Sequence, residues 1–145
     1  MSTVLLVEDN VDDSLLTKRA FRKAGVPVQL RIVEDGDQAV AYLLGEGDFA
    51  DRTAHPHPGL VLLDWKLPRR SGREVLEWIR TQSAVPTLPV VVISSSREEE
   101  DIAAAYAAGC DSYLQKPVLF DKLGALGRGL NLPFLQSGAA SEGPV

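Results

Sequence analysis

Cysteine is nearly missing from this sequence of 145 residues, and its scarcity excludes two kinds of stabilisation. The single cysteine, Cys110, cannot form a disulfide within the chain, and the sequence offers no group of cysteines and histidines for a structural zinc site. No apolar run approaches the ~18 residues that a membrane-spanning helix needs, and the first residues lack the basic and apolar regions of a signal peptide. We therefore expect a cytoplasmic protein that does not enter a membrane.

Positive charge is also in short supply. Lysine and arginine number 15 against 20 aspartates and glutamates, which gives a net charge of −5 at pH 7. Because sequence-independent binding of DNA or RNA depends on lysine and arginine to neutralise phosphates, we do not expect nucleic acid as a partner. The hydrophobic fraction of 45% and the charged fraction of 24% are ordinary for one globular domain of this length.

Five apolar segments alternate with five helical patterns along the chain. The apolar segments predict strands at residues 4–7, 28–33, 60–63, 89–93 and 112–115. Apolar residues at helical spacing, such as Leu15, Leu16, Ala20 and Phe21, predict helices that begin near residues 11, 36, 72, 98 and 119. This alternation is typical of an α/β fold with a doubly wound, five-stranded parallel sheet and helices on both faces.

The last predicted helix ends near residue 130, and the remaining 15 residues are too few for a second domain. We expect one domain over residues 2–130 and a C-terminal extension over 131–145. Leu132, Phe134 and Leu135 are expected to pack either on the domain or on a partner, whereas the chain from residue 136 onward has the composition of a loose tail.

Polar side chains follow four of the predicted strands at the point where each strand ends. Glu8 and Asp9 follow the first strand, Asp64 the third, Ser94 the fourth and Lys116 the fifth. Because functional sites in open parallel sheets lie outside the carboxyl ends of the strands, we expect these side chains to share one site.

The composition of this site predicts metal-assisted phosphoryl chemistry. Three carboxylates at close range repel one another by about 1 to 4 kcal/mol per pair at ~4 Å, and a bound cation would relieve that repulsion. Oxygen ligands with room for water favour Mg²⁺. Lys116 can then pair with Asp64 or with a phosphoryl oxygen, Ser94 can donate its hydroxyl to another such oxygen, and Asp64 is the natural nucleophile.

Five nearby polar residues are given simpler interpretations. Asn10, Asp12 and Asp13 stand at the start of the first predicted helix, where such residues cap the helix or complement its dipole, and we leave them out of the site. His55 and His57 lie in a proline-rich loop without a third ligand, so we interpret them as solvated loop residues.

These segments resemble the receiver domain of bacterial two-component response regulators, over about residues 2–130. The resemblance is carried by Ser94 and Ser95 and by four short segments: Val-Glu-Asp-Asn at 7–10, Leu-Leu-Asp-Trp-Lys-Leu-Pro at 62–68, Ala-Ala-Gly at 107–109 and Tyr-Leu-Gln-Lys-Pro at 113–117. It implies a flavodoxin-like fold with strand order 2-1-3-4-5.

The same resemblance implies roles for individual residues. Asp64 would be phosphorylated, and its carboxylate with those of Glu8 and Asp9 and the backbone carbonyl of Lys66 would surround Mg²⁺. Lys116 would steady the phosphoryl group and precede a cis peptide bond to proline. Ser94 would be the switch hydroxyl and Tyr113 the switch aromatic residue, and phosphorylation would reshape the face formed by the fourth helix, fifth strand and fifth helix.

Three features resemble, within this family, the small stand-alone regulators that accompany bacterial phytochromes. They are the long loop at residues 45–59, the turn at 68–72, and the segment 95–102 with Tyr106 beyond it. We therefore expect a single-domain regulator that is not an enzyme and receives its phosphoryl group from a sensor histidine kinase of the bacteriophytochrome type. The switch face that the resemblance implies carries Tyr106, Tyr113 and Phe120 and is followed by the apolar residues 132–135, so we also expect a homodimer. The alternatives are a magnesium-dependent aspartyl-phosphate phosphatase and a pseudo-receiver that binds partners without phosphorylation.

Overall fold

A computed structural model describes residues 2–136 of the chain. Its five strands are β1 (Ser2–Val7), β2 (Val28–Val33), β3 (Leu60–Asp64), β4 (Val90–Ser94) and β5 (Ser112–Gln115). Its five α-helices are α1 (Val11–Ala24), α2 (Gly36–Leu44), α3 (Gly72–Gln82), α4 (Glu99–Ala107) and α5 (Phe120–Gly129). Short 3-10 turns cover Gly47–Phe49 and Pro133–Leu135. Within residues 2–136, no helix is both long and apolar enough to cross a lipid bilayer.

The strands form one parallel sheet in the order β2-β1-β3-β4-β5, as the resemblance implied. Every residue of β3 and β4 is buried, because these central strands have a helix layer on each face and consist almost entirely of valine, leucine and isoleucine. Since all strands run in the same direction, their carboxyl ends meet at one edge of the sheet.

Two apolar clusters hold the helices against the two faces of the sheet. On one face, α2, α3 and α4 contribute side chains such as Tyr42, Leu76 and Ala105. On the other face, α1 and α5 pack against the sheet through residues such as Phe21 and Leu123. The predicted arrangement of helices on both faces is therefore confirmed.

Helix α1 presents a different face to the sheet than its leucines suggested. Leu15 and Leu16 are 45% and 43% exposed, whereas the small polar residues Ser14 and Thr17 are buried together with Ala20. The side of α1 that faces the sheet is thus only partly apolar, and two leucines remain on the surface.

The described part of the C-terminal extension packs on the domain itself. Leu135 is fully buried in the cluster that contains residues of α1 and α5. Leu132 and Phe134 are partly buried and pack against the same cluster. Gly127 allows this approach, because a Cβ atom there would lie 2.9 Å from the Cβ of Leu135. Of the two placements considered for these apolar residues, the structure shows the one on the chain's own core. The expected loose tail lies, from residue 137 on, outside the described residues.

Arg52 holds the long loop between α2 and β3 against the end of α2. Its guanidinium donates hydrogen bonds to the carbonyl oxygens of Tyr42 at 2.7 Å and Leu43 at 2.8 Å, in the last turn of α2, and to that of His55 at 3.1 Å. The His55 ring packs edge-on against Tyr42 and Phe49. His55 is therefore a packed residue of the loop, whereas the neighbouring His57 is exposed as expected.

Candidate functional site

Four polar groups converge at the carboxyl edge of the sheet. Glu8 directly follows β1, Asp64 is the last residue of β3, Ser94 is the last residue of β4 and Lys116 directly follows β5. All but Lys116 are almost completely buried, with Glu8 1%, Asp64 5% and Ser94 3% exposed. Parallel strands in this order bring the four residues to the same edge of the sheet, where functional sites of doubly wound sheets lie.

The ammonium group of Lys116 lies among three carboxylates. Its nitrogen is 2.8 Å from Glu8 Oε1, 3.0 Å from Asp64 Oδ2 and 3.0 Å from Asp13 Oδ2. The contacts with Asp64 and Asp13 are hydrogen bonds, whereas the contact with Glu8 is an ion pair whose angles are poor for a hydrogen bond. Burial alone would lower the pKa of Lys116, but the three carboxylates outweigh that effect and raise it. Lys116 is therefore charged at neutral pH.

Glu8 is ionised less readily than an ordinary glutamate. Burial raises its pKa to about 7, and the nearby Asp64 carboxylate adds to the rise, while Lys116 opposes it. One ammonium group thus does not balance the negative charge of the site. A second positive group would favour the ionised form of Glu8.

The carboxylates of Glu8, Asp9 and Asp64 form a set that can hold a divalent cation. One oxygen from each lies within 4.8 Å of the other two, and Asp9 is exposed, which leaves a side open for water. Hard cations such as Mg²⁺ favour this oxygen-only, partly hydrated environment. The excess of negative charge and the spacing of the oxygens both fit such an ion.

The second oxygen of Asp64 is held by the loop that follows β3. Lys66 donates its backbone N–H to Asp64 Oδ1 at 3.1 Å, and the loop then turns back so that the N–H of Gly72 reaches the carbonyl of Trp65 at 3.2 Å. Gly72 lies so close to Asp64 and Trp65 that a Cβ atom would overlap their backbone. The loop therefore fixes the orientation of the Asp64 carboxylate.

Ser94 and Tyr113 meet at the backbone of Ser96. The hydroxyl of Ser94 accepts a hydrogen bond from the Ser96 N–H at 3.1 Å, and the hydroxyl of Tyr113 donates one to the Ser96 carbonyl at 3.0 Å. The loop after β4 thus joins the two residues that the resemblance names as a switch pair. The Lys116–Pro117 peptide bond is cis, as the resemblance implied.

Sequence reasoning missed the place of Asp13. It assigned Asp13 only to the start of α1, and the backbone N–H of Asp13 does bond to Asn10 Oδ1 at 3.0 Å as part of the helix cap. The Asp13 carboxylate, however, contacts Lys116, which is 103 residues away in the sequence. Asp13 therefore belongs to the same charged cluster as Glu8 and Asp64. The only sequence signal for it is its position one turn beyond the acidic pair.

Comparison with known proteins is consistent with this geometry. The family model for the response regulator receiver domain matches residues 4–126. The chain belongs to this family. The four carboxylates of the site, Glu8, Asp9, Asp13 and Asp64, and Lys116, which contacts all of them but Asp9, lie within the matched region.

Three relatives resemble the receiver over most of its length. Response regulator Rcp1 of Synechocystis sp. is 37% identical over 78% of this chain and 75% of its own length. A crystal structure of the Mn(2+)-bound form of Rcp1 aligns with a TM-score of 0.74 and 33% identity, covering 94% of this chain and 96% of that one. Response regulator RPA3017, from red light signalling of R. palustris, has a TM-score of 0.79 and 37% identity over 90% and 91%. The phosphorylated cyanobacterial phytochrome response regulator RcpA has a TM-score of 0.75 and 36% identity over 92% and 94%.

Proposed function

We propose that this receiver accepts a phosphoryl group on Asp64 and returns to its starting state when water hydrolyses the acyl phosphate. The observation that carries the proposal is the position of the buried Asp64 carboxylate, which lies between two other carboxylates and the ammonium of Lys116 at the carboxyl edge of the sheet. A nucleophile, a cation-binding set and a fixed positive charge are the parts that phosphoryl transfer needs.

In the proposed transfer, an oxygen of the Asp64 carboxylate attacks phosphorus and forms an O–P bond. The P–N bond of a phosphohistidine breaks at the same phosphorus, and its electron pair stays on the imidazole nitrogen of the donor. Glu8, Asp9, Asp64 and the backbone carbonyl of Lys66 would hold Mg²⁺, and the ion would supply positive charge to the phosphoryl oxygens. Lys116 and the hydroxyl of Ser94 stabilise the same oxygens from the protein side.

The donor in this proposal is a sensor histidine kinase of the bacteriophytochrome type. The similarity to RcpA, a phytochrome response regulator, and to RPA3017, which belongs to red light signalling, supports this choice. The chain lacks the P-loop and the GxGxxG motif with which many proteins bind nucleotides, so ATP is not the proposed direct donor. A small phosphodonor such as acetyl phosphate can replace the kinase in a test.

The proposed output is a change of surface. Ser94 and Tyr113 would rearrange upon phosphorylation and alter the face made by α4, β5 and α5, through which the protein would form a homodimer. In this proposal residues 2–130 are the receiver and 131–145 an extension, and the protein acts in the cytoplasm without binding nucleic acid or a membrane. It turns over its own acyl phosphate slowly and has no other substrate, which separates it from an enzyme.

The proposal is tested by intact mass after treatment with acetyl phosphate and Mg²⁺. We expect the wild type to gain one phosphoryl group and Asp64→Asn to gain none, because an amide is not a nucleophile toward phosphorus. Asp48→Asn, which changes an exposed carboxylate in the 3-10 turn after α2, serves as the matched control and should gain the group normally.

Other results would favour the alternatives. Rapid release of inorganic phosphate without a mass gain would indicate an aspartyl-phosphate phosphatase, and neither gain nor release despite Mg²⁺ binding would indicate a pseudo-receiver. Against the phosphatase, haloacid-dehalogenase-like enzymes have a DxD pattern after their first strand, whereas Asp64 ends the third strand here and the second residue after it is Lys66. Against the pseudo-receiver, the acidic pair, the acceptor, the hydroxyl and the lysine of the site are all present.

A further inference from the structure

The carboxylate of Asp13 stands apart from the other two that touch Lys116. Glu8 and Asp64 belong to the set that can hold a cation, whereas Asp13 contacts only the ammonium group among the charged side chains of residues 2–136. Its side chain is 34% exposed, compared with 0% for Glu8 and 8% for Asp64. Asp13 therefore contacts Lys116 from the solvent side of the site, whereas Glu8 and Asp64 contact it from the buried side.

The cap of α1 does not need this carboxylate. The capping hydrogen bond at Asp13 uses its backbone N–H and the side chain of Asn10. Asp12, the preceding residue, occupies the same first turn of α1, and within residues 2–136 its exposed carboxylate makes no hydrogen bond or ion pair. The two neighbours thus have equal charge and similar distance from the helix end, and they differ in contact with Lys116.

Lys116 must serve two sets of partners in turn. Before a cation binds, its ammonium neutralises Glu8 and Asp64; once a cation and a phosphoryl group occupy the site, those carboxylates are taken and the ammonium is needed at a phosphoryl oxygen. Asp13 contributes to no cation set, so it can keep its contact with Lys116 in both situations. Without Asp13, the ammonium has only the cation's own ligands to pair with and competes with the cation for them.

We propose that Asp13 is a positioning residue that holds Lys116 at the mouth of the site and thereby keeps its ammonium from competing with the cation for Glu8 and Asp64. The inference rests on the proposed phosphoacceptor function, since that function gives Lys116 a second partner to move to. It predicts that Asp13 acts on cation binding and on phosphoryl transfer through Lys116.

The test measures Mg²⁺ affinity of the full chain by tryptophan fluorescence, because Trp65 directly follows Asp64. Asp13→Asn should weaken Mg²⁺ binding about three- to tenfold, and the matched control Asp12→Asn should weaken it less than about twofold. Each variant is also made with Lys116→Met. In the Lys116→Met background, the loss of Mg²⁺ affinity caused by Asp13→Asn should be at least about threefold smaller than in the wild-type background, because the competing ammonium group is gone.

A second measurement does not depend on how well Lys116→Met folds. At saturating Mg²⁺, Asp13→Asn should form the acyl phosphate from acetyl phosphate several-fold more slowly than Asp12→Asn, and Asp13→Glu should restore most of the rate. Equal losses for the two asparagine variants, or an equal loss with and without Lys116, would show that Asp13 acts only as a distant charge and would overturn this inference alone. A wild type that binds Mg²⁺ but gains no phosphoryl group would overturn the proposed function instead.

Discussion

Glu8 is the most deeply buried carboxyl of the candidate site, and its pKa of about 7 gives cation binding a pH dependence near neutrality. Protons and Mg²⁺ compete for the same oxygens, so a raised pKa means that the proton wins over a wider range of pH. We expect Mg²⁺ affinity to fall as the pH drops through 7, by up to about tenfold per pH unit below it, and to level off above it. Mg²⁺ titrations between pH 6 and 8.5 measure this directly.

The matched variant for this prediction is Glu8→Gln, which cannot titrate. It should bind Mg²⁺ more weakly than the wild type at pH 8, and its affinity should change much less between pH 6 and 8. Calorimetry in buffers of different ionisation enthalpy should show proton release on Mg²⁺ binding to the wild type at pH 7. Wild-type affinity that stays constant across this range would contradict the role given to Glu8.

At the residue scale, the sequence predicts the members of the site that stand at the ends of strands, but not a member that reaches the site from a helix. Glu8, Asp9, Asp64 and Lys116 could be grouped because each stands at the end of a predicted strand, and the carboxyl ends of parallel strands meet. Asp13 could not be grouped with them, because its helix-start position already had a sufficient local explanation and its partner lies 103 residues away. Contacts between the first turn of a helix and a distant loop leave no periodic signal.

At the scale of elements, the loop between β3 and α3 sets the geometry of Asp64, and Gly72 is the residue that makes the loop possible. A Cβ atom at position 72 would overlap the backbone of Asp64 and Trp65, so Gly72→Ala must push the end of β3 or the start of α3 out of place. We expect a loss of about 1 to 3 kcal/mol in the free energy of unfolding, together with weaker Mg²⁺ binding. Urea unfolding and Mg²⁺ titration of the variant provide the measurements.

Gly129 supplies the control for that substitution, because it is exposed at the end of α5 and a Cβ atom there meets nothing within 4 Å. Gly129→Ala should leave stability unchanged or raise it by up to about 1 kcal/mol, since alanine favours the helix. Equal free energies of unfolding for Gly72→Ala and Gly129→Ala would contradict the close approach that the structure shows at Gly72.

The elements themselves follow from the sequence to within one or two residues at most ends. Strand β4 was predicted to end one residue early, because Ser94 reads as a turn residue although its backbone continues the ladder beside Gln115. Helix α1 was predicted in place, and of the apolar residues that indicated it Ala20 and Phe21 are buried, whereas Leu15 and Leu16 are exposed and Ser14 and Thr17 are buried in addition.

At the scale of the whole molecule, the structure narrows the surface that is available for a homodimer. The apolar residues of the extension, which could have joined such an interface, are used internally, with Leu135 fully buried. Tyr113 is tied to the loop after β4 through its hydroxyl, and Lys23 lies 4.4 Å above the ring of Phe120. On the proposed switch face, Tyr106 of α4 is 49% exposed and Phe120 of α5 is 42% exposed, and it is the Phe120 ring that Lys23 contacts.

Tyr106 should therefore be a main contributor to the proposed homodimer. Large aromatic residues dominate many interfaces, and truncating one commonly costs 1 to 2 kcal/mol, or about tenfold in the dissociation constant. Sedimentation with Mg²⁺ and beryllofluoride, a phosphoryl mimic, should show dimers in the wild type and a weaker association in Tyr106→Ser. Val85→Ser is the control, because Val85 is 38% exposed in the connection between α3 and β4, at the opposite edge of the sheet from the site. The extension packs on the core of the domain and is not available for dimer contacts. A wild type that stays monomeric at high concentration, both with and without beryllofluoride, would therefore exclude the homodimer and leave the switch face for a different protein.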